Sequence, residues 1–428
     1  MAGGKGTRIA SIANDVPKPM IRIGGKPILE YQIENLKRCG LTDITLVIGH
    51  LGHVIKDYFK DGHALGVNIS YFTEDQPLGT AGALFKMNLT DNFLLLCGDV
   101  ILDVDFNRFV RFHQEHHAWA SLMAHPNGHP YDSSLLITEM LPPQERGGLP
   151  VETHRVTGWL NKEEERTYYK NRVNAGIEII SPQLLAETMR NYTPRHPEQP
   201  DRIDLDRDVL KPNIVSGKIF AYDTPEYIKD MGTPDRFHEV EHDLLSGKVA
   251  ARNLSNKQKA VFLDRDGTIN AYKGFLTRPE DFELIPGVAE AIRKINKSGY
   301  LCIVVSNQPV IARGDCSFDD VKAIHKKMET LLGKEGAFID AIYYCPHHPD
   351  KGFEGERVEY KIDCDCRKPK PGLLLQAAKD WNINLSESYM IGDSERDVAA
   401  GNSAGCKQSY LVKKNEPEAL RAIVNKII

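Results

Sequence analysis

Five short apolar runs, each closing on small or acidic residues, set the fold class of this chain. They are ITLVIG (44–49), NFLLLCGD (92–99), AVFLDRDG (260–267), LCIVVSNQ (301–308) and SYMIGDS (388–394). Each reads as a buried strand, because a strand covered on both faces needs apolar side chains in near-unbroken succession. Between them lie amphipathic segments with helical spacing, such as KPILEYQIENLKRCG (26–40) and GVAEAIRKINKSG (287–299), the second closed by Gly299 as a C-cap. Strand–helix alternation predicts an α/β fold with parallel sheets, whose ligands gather at the carboxyl ends of strands.

At 428 residues the chain exceeds one ordinary core, so two or three domains are expected. DRFHEVEHDLLSG has the pattern of a closing helix, KVAARNLSNKQK is polar and aperiodic, and a fresh strand opens at Ala260. The predicted division is therefore 1–240, a linker at 241–257, and 258–428. A formal net charge of −5 argues against a non-specific nucleic-acid binder. No apolar run approaches the ~20 residues that span a bilayer, and the N-terminus lacks the apolar core of a signal peptide. Eight cysteines in a chain this long are no disulfide scaffold. The expectation is a cytoplasmic enzyme with no nucleic-acid or membrane partner; its oligomeric state is left open.

In AGGKGTR, Gly3, Gly4 and Gly6 let backbone N–H groups approach an anion, and Arg8 adds a fork of donors suited to phosphate. A Gly-rich turn with solvated charges would account for the glycines alone. Thr7 and Arg8, and Lys18 held between Pro17 and Pro19, favour the anion site. With EDQPLGTAGAL (74–84), LCGDV (96–100), NAGIEIISP (174–182) and KDMGTPDRF (229–237), these motifs make the first half resemble the sugar-1-phosphate nucleotidyltransferase family. The resemblance implies a Rossmann-like mixed sheet and attack by a sugar-1-phosphate oxygen on the α-phosphorus of a nucleoside triphosphate. It implies that Gly3, Gly4, Gly6, Thr7 and Arg8 cradle the triphosphate, and that Lys18 acts at the α-phosphate. Asp99 and Asp230 would hold Mg²⁺, as carboxylates suit that hard cation; a strand-end cap and a turn residue are their plainer readings. Gly79, Thr80, Gly98, Asn174 and Gly176 would line the substrate sites. Lys162 in WLNKEEE lies where the family contacts the sugar phosphate, although the family's following proline is missing and a solvated charge run fits as well. The family also carries an apolar strand directly before the Gly-rich loop, where only Met1 and Ala2 stand here, so either the natural start lies upstream of Met1 or the first domain is weakened, and the upstream start is the expectation.

In FLDRDGTIN, Asp264 and Asp266 stand two apart at a strand end, which points both carboxylates to one side. One can be a nucleophile and the other an acid/base. VVSNQ adds Ser306 and Asn307, CRKPKPG adds Arg367 and Lys368, and IGDSERD adds Asp393. In this order the motifs resemble the haloacid dehalogenase superfamily of phosphatases. The resemblance implies a phospho-aspartate on Asp264 and acid/base work by Asp266. Ser306 and Lys368, flanked by Asn307 and Arg367, would hold the phosphoryl group, with Mg²⁺ at Asp264, Asp266 and Asp393. CPHHP and CDC place Cys345, His347, Cys364 and Cys366 as a closed Cys₃His set suited to structural zinc, with His348 as the rival to His347. This loop, with INAYKGFLTRPEDFELIPGV (269–288) and IARG (311–314), most resembles the heptose bisphosphate phosphatases, ahead of the histidinol-phosphate phosphatases. Pro309 and Val310 depart from the heptose pattern.

A heptose phosphatase makes a sugar 1-phosphate, and a nucleotidyltransferase consumes one. The paired resemblances imply successive steps toward a nucleotide-activated heptose, with nucleoside triphosphate and phosphorylated heptose as substrates and guanine as the base. The contrasting reading is a phosphatase whose front half senses nucleotide sugar without turnover.

Overall fold

The structure, a computed structural model, describes residues 1, 16–352 and 354–428. It divides into two units. One comprises Met1–Ala124, His154–Trp159 and Asn174–Asn253; the other comprises His125–Thr153, Leu160–Val173 and Leu254–Ile428.

In the first unit, helix α1 (Ile28–Arg38) buries Leu29, Ile33 and Leu36 along one stripe, as its spacing requires. Strands β1 (Asp43–Ile48) and β2 (Asn68–Thr73) form a parallel pair. β3 (Phe93–Leu96) and β4 (Val100–Asp103) follow the first two, and helix α2 (Phe106–Glu115) follows β4. β5 (Ala120–His125), β6 (Val151–Leu160), β7 (Val173–Ile180) and β8 (Ile219–Asp223) join β3 in a six-stranded sheet ordered β3-β7-β5-β8-β6, with the strand Leu135–Leu141 at the edge beyond β6. The sheet is mixed: β7 runs antiparallel to β3, whereas β8 runs parallel to β5. β9 (Tyr227–Asp230) pairs antiparallel with β4, and helix α3 (Pro234–Leu245) follows it. Beside β3, the Met1 amino group donates to Leu96 O (2.8 Å) and Met1 O accepts from Gly98 N (2.8 Å).

The aperiodic stretch after α3 is ordered by side chains. Lys248–Ala251 forms a short helix with Val249 buried. The Arg252 guanidinium donates to Pro225 O (2.8 and 3.1 Å), and Asn253 Nδ2 donates to Asp103 Oδ1 (2.6 Å).

In the second unit, β10 (Lys259–Leu263), β11 (Tyr300–Asn307), β12 (Ala341–Cys345), β13 (Tyr389–Gly392) and β14 (Gln408–Leu411) form a wholly parallel sheet ordered β12-β11-β10-β13-β14. Ala260, Val261, Phe262 and Leu263 are fully buried, as a central strand demands. Their alternation feeds two cores. Val261 and Leu263 pack with helices α4 (Val288–Lys297), α5 (Phe318–Lys334) and α8 (Ala419–Ile427). Ala260 and Phe262 pack with α6 (Gly372–Asp380) and α7 (Glu395–Ala404) on the opposite face. α4 stops at Lys297 because Ser298 turns extended; Gly299 is not the left-handed cap its position suggested.

The two excursions, 125–153 and 160–173, dock on α5. Thr330 Oγ1 accepts from Tyr169 N (3.0 Å) and Glu329 Oε1 from Asn171 N (3.3 Å). Both acceptors are buried, so each satisfies a donor that water does not reach.

Candidate active sites

Asp264 directly follows β10, and its N–H donates to Ile391 O (2.9 Å), which aims the side chain past the end of the sheet. Lys368 Nζ lies 2.7 Å from Asp264 Oδ1, 2.6 Å from Asp397 Oδ1 and 2.7 Å from Val305 O. Lys368 is 2% exposed. Burial acts to lower its pKa, but Asp264 and Asp397 outweigh burial and hold the ammonium above its ordinary range. Burial pushes the Asp264 carboxyl up to about 7 against the pull of Lys368. Asn307 clamps the lysine's backbone, with Oδ1 accepting from Lys368 N and Nδ2 donating to Lys368 O, both 3.0 Å.

Carboxylate oxygens of Asp264, Asp393 and Asp397 lie within 4.8 Å of one another, a hard-oxygen set of the kind magnesium takes. Asp393 is 3.3 Å from Lys414, and burial raises its pKa. Asp397 was not singled out from the sequence. It stands four residues after Asp393 in the first turn of α7, inside a capping box with Ser394.

Asp266 lies beside this group, held by other residues. Arg265, 0% exposed, donates to both Asp266 oxygens through Nη2 (2.9 and 2.8 Å). Gln308 Nε2 donates to Asp266 Oδ2 (2.8 Å) and to Ser306 Oγ (2.8 Å), and Asn270 Nδ2 donates to Asp266 Oδ1 (3.0 Å). Burial acts upward on Asp266, but Arg265 foremost, with Gln308 and Asn270, keeps it below the usual carboxylate range. Behind Arg265, His325 of α5 lies 3.2 Å from Nη1. Burial pushes this imidazole down to about 3, so it is neutral and accepts the bond. Arg265, Gln308 and His325 are the residues that sequence reasoning missed here; a charged side chain between two strand-end aspartates was the available signal.

Cys345, His347, Cys364 and Cys366 converge. Their sulfurs are 3.1–3.5 Å apart, and His347 Nδ1 is 3.3 Å from Cys366 and 3.6 Å from Cys345. These spacings are slightly tighter than the roughly 3.8 Å edge that Zn–S bonds of about 2.3 Å would give. Hydrogen bonds, from Cys345 above all, hold the Cys366 thiol well below its ordinary value. His347, not its rival His348, enters the cluster; His348 Nδ1 accepts instead from Asp350 N (3.2 Å). Arg367 turns back, donating from Nη1 to His347 O (3.1 Å).

In the first unit, the loop Gly3, Gly4, Gly6, Thr7 and Arg8 lies outside the described residues. Lys18 Nζ meets Asp99 Oδ2 at 3.1 Å. The pairing of Asp230 with Val100 sets Asp230 beside the loop that carries Asp99; its carboxylate binds Arg236 Nη1 at 2.9 and 3.1 Å. Gln32 of α1, buried and unpredicted, donates through Nε2 to Cys97 O (2.9 Å) and Val100 O (2.7 Å), holding Gly98 and Asp99 between two anchored carbonyls. Gly79 has φ +82° and a Cβ there would collide with Ile203 O, so backbone packing alone demands glycine. Thr80 Oγ1 accepts from Leu205 N (2.7 Å). Asn174 Oδ1 accepts from Gly176 N (3.3 Å), and Gly176 faces Cys97 across β7 and β3. Lys162 is exposed and falls in the 160–173 excursion of the second unit.

A strand-end aspartate gripped by a buried lysine, beside a second aspartate and an acidic helix turn, defines an aspartate-based phosphotransfer enzyme, here in one chain with a mixed-sheet unit of a different build. The nucleotidyl transferase family model matches residues 1–247, and a HAD-hydrolase-like model matches 365–424. The D-glycero-β-D-manno-heptose-1,7-bisphosphate 7-phosphatase of Pasteurella multocida is 45% identical over 161 residues, 37% of this chain and 84% of that protein. The D,D-heptose 1,7-bisphosphate phosphatase structure from B. bronchiseptica is 32% identical, with a TM-score of 0.35, over 40% of this chain and 98% of that one. HddC from Yersinia pseudotuberculosis is 23% identical, with a TM-score of 0.45, over 57% of this chain and 96% of that one. The chain belongs to the nucleotidyl transferase family and, in its C-terminal region, to the heptose bisphosphate phosphatases, and is a fusion of the two enzymes. Among the described residues no helix is long and apolar enough to cross a membrane.

Proposed function

We propose that the chain runs two successive steps in the cytoplasm. Residues 258–428 remove the 7-phosphate of D-glycero-D-manno-heptose 1,7-bisphosphate. Residues 1–240, joined through 241–257, transfer GMP from GTP to the resulting heptose 1-phosphate and release pyrophosphate. The Asp264–Lys368 contact of 2.7 Å, in a region related to enzymes named for that phosphatase reaction, carries the reading.

In the first step an Asp264 oxygen attacks phosphorus and the bond to the sugar O7 breaks. Asp266, ionised beside Arg265, takes up the proton of the incoming phosphate monoester monoanion and passes it to O7. Water then attacks the phospho-aspartate with Asp266 taking its proton, and orthophosphate leaves. Lys368 and the Ser306 hydroxyl hold phosphoryl oxygens through both steps. Asp264, Asp393 and Asp397 would hold Mg²⁺, which when bound neutralises phosphoryl charge. Zinc fits the three sulfurs and one imidazole, and with no position left open its role is structural. In the second step Lys18 offsets charge at the α-phosphate, with Asp99 and Asp230 as the carboxylates for Mg²⁺.

The test supplies heptose 1,7-bisphosphate and then GTP, and follows orthophosphate and pyrophosphate. Orthophosphate followed by GTP-dependent pyrophosphate is expected. Orthophosphate alone, with every nucleoside triphosphate, would leave the front half as a sensor; no orthophosphate overturns the phosphatase assignment.

A further inference from the structure

His347 uses both ring nitrogens. Nδ1 faces the three sulfurs, and Nε2 lies 2.8 Å from Gly147 O. A carbonyl can only accept, so Nε2 carries a proton, and in the neutral ring Nδ1 then turns its lone pair toward the sulfurs. That is the tautomer a metal needs at Nδ1. The partner does not come from the phosphatase half of the sequence. Gly147 belongs to the 125–153 excursion between β5 and β6, far upstream of Leu254. Its placement is exacting: φ is +75°, and a Cβ would run into Glu359 O on the segment just before Cys364. Gly148 N closes a turn onto Glu145 O (2.9 Å), which presents the Gly147 carbonyl to the ring. His347 is 7% exposed, so no bulk water substitutes for that carbonyl.

We propose that the turn at 145–148 is a working part of the metal site: Gly147 O fixes the His347 ring and tautomer, and metal binding and docking of this turn reinforce each other. The inference rests on the zinc reading of the Cys₃His cluster. Reciprocity is thermodynamic: if the docked turn tightens metal binding, bound metal must tighten the turn by the same factor. Outer partners of ligating histidines are commonly worth 10–100-fold in metal affinity.

Gly147→Val tests it, because a β-branched residue resists positive φ and collides with Glu359, while all four ligands stay intact. Zinc affinity is read by competition with a chromophoric chelator on the full-length protein. Hydrogen exchange at 143–150 is read on the unsubstituted protein, with zinc and after chelation. The expected results are a 10–100-fold weaker zinc affinity in the variant and faster exchange at 143–150 once zinc is removed. Unchanged affinity in a folded variant overturns the proposal. If the variant does not fold, exchange at 143–150 that ignores zinc overturns it equally. Absence of zinc binding by the unsubstituted protein would instead remove the zinc reading itself.

Discussion

Replacing Lys368 with methionine strands two buried carboxylates. Its ammonium is 2.7 Å from Asp264 and 2.6 Å from Asp397 at 2% exposure. At an effective dielectric of about 20, unit charges this close attract by roughly 6 kcal/mol before desolvation. After desolvation, removing one partner of a buried pair costs about 3–5 kcal/mol. Asp264→Asn costs less, about 1 kcal/mol, since Lys368 keeps Asp397. At pH 8 without magnesium, above the value of about 7 for Asp264, the double variant is expected to be more stable than the two losses added, by about 2 kcal/mol. Hydrogen exchange of the β10 and β11 amides reads these differences within the second unit. Additivity within about 0.5 kcal/mol would refute the pairing. pH gives a further check. The folded carboxyl at about 7 lies above its ordinary 3.8, so folding takes up a proton between those values. This group therefore favours the fold below 3.8, and that contribution is lost as pH rises through about 7. Metal-free stability should fall across the window, and Asp264→Asn should flatten the slope.

Cys364→Ser should lower both zinc content and phosphatase turnover, because Lys368 follows the cluster's Cys366 by two residues; full activity in a zinc-free variant by elemental analysis would defeat that link. Arg265→Met should release Asp266 and so impair leaving-group protonation: turnover of an alkyl phosphate drops on the order of 10²-fold, while p-nitrophenyl phosphate, whose leaving group needs little proton assistance, loses far less. Equal losses on both substrates would assign Arg265 a purely structural part. Gln32→Leu leaves the Cys97 and Val100 carbonyls without their donor, and should cost about 1–3 kcal/mol and slow pyrophosphate release while orthophosphate release is unchanged; an unaltered transferase rate counts against the anchoring role.

Five of the strands were legible because each is an apolar run ended by an acidic or small residue, and Asp264, Ser306 and Asp393 sit at those ends; shorter or more polar strands such as Asn68–Thr73 and Gln408–Leu411 gave no such run. The Cys₃His set was legible from spacing, but the choice between the adjacent His347 and His348 was not and came only with the fold. Asp397 was not, because an aspartate in a first helical turn looks like an ordinary dipole partner. Gln32 hid inside an amphipathic helix, where a buried amide breaks no pattern. Gly79 was marked as a ligand residue, and the structure adds a cause that no local reading supplies, the Ile203 carbonyl lying against it. Gly147 and the Tyr169 and Asn171 amides find their partners far along the chain, and such pairings leave no periodicity to read.

The excursions bear on how a fused gene could ever come apart again. A break between Asn253 and Leu254 would strip the downstream product of 125–153 and 160–173. Thr330 and Glu329 on α5, and the His347 ring, would face solvent with their partners encoded on another transcript. Fission would therefore need compensating substitutions on α5 and around the cysteine loop before an independent phosphatase could compete with the joined enzyme. Until they arose, the joined reading frame would be protected by ordinary selection against misfolding, whatever the kinetic merit of having both reactions in one molecule.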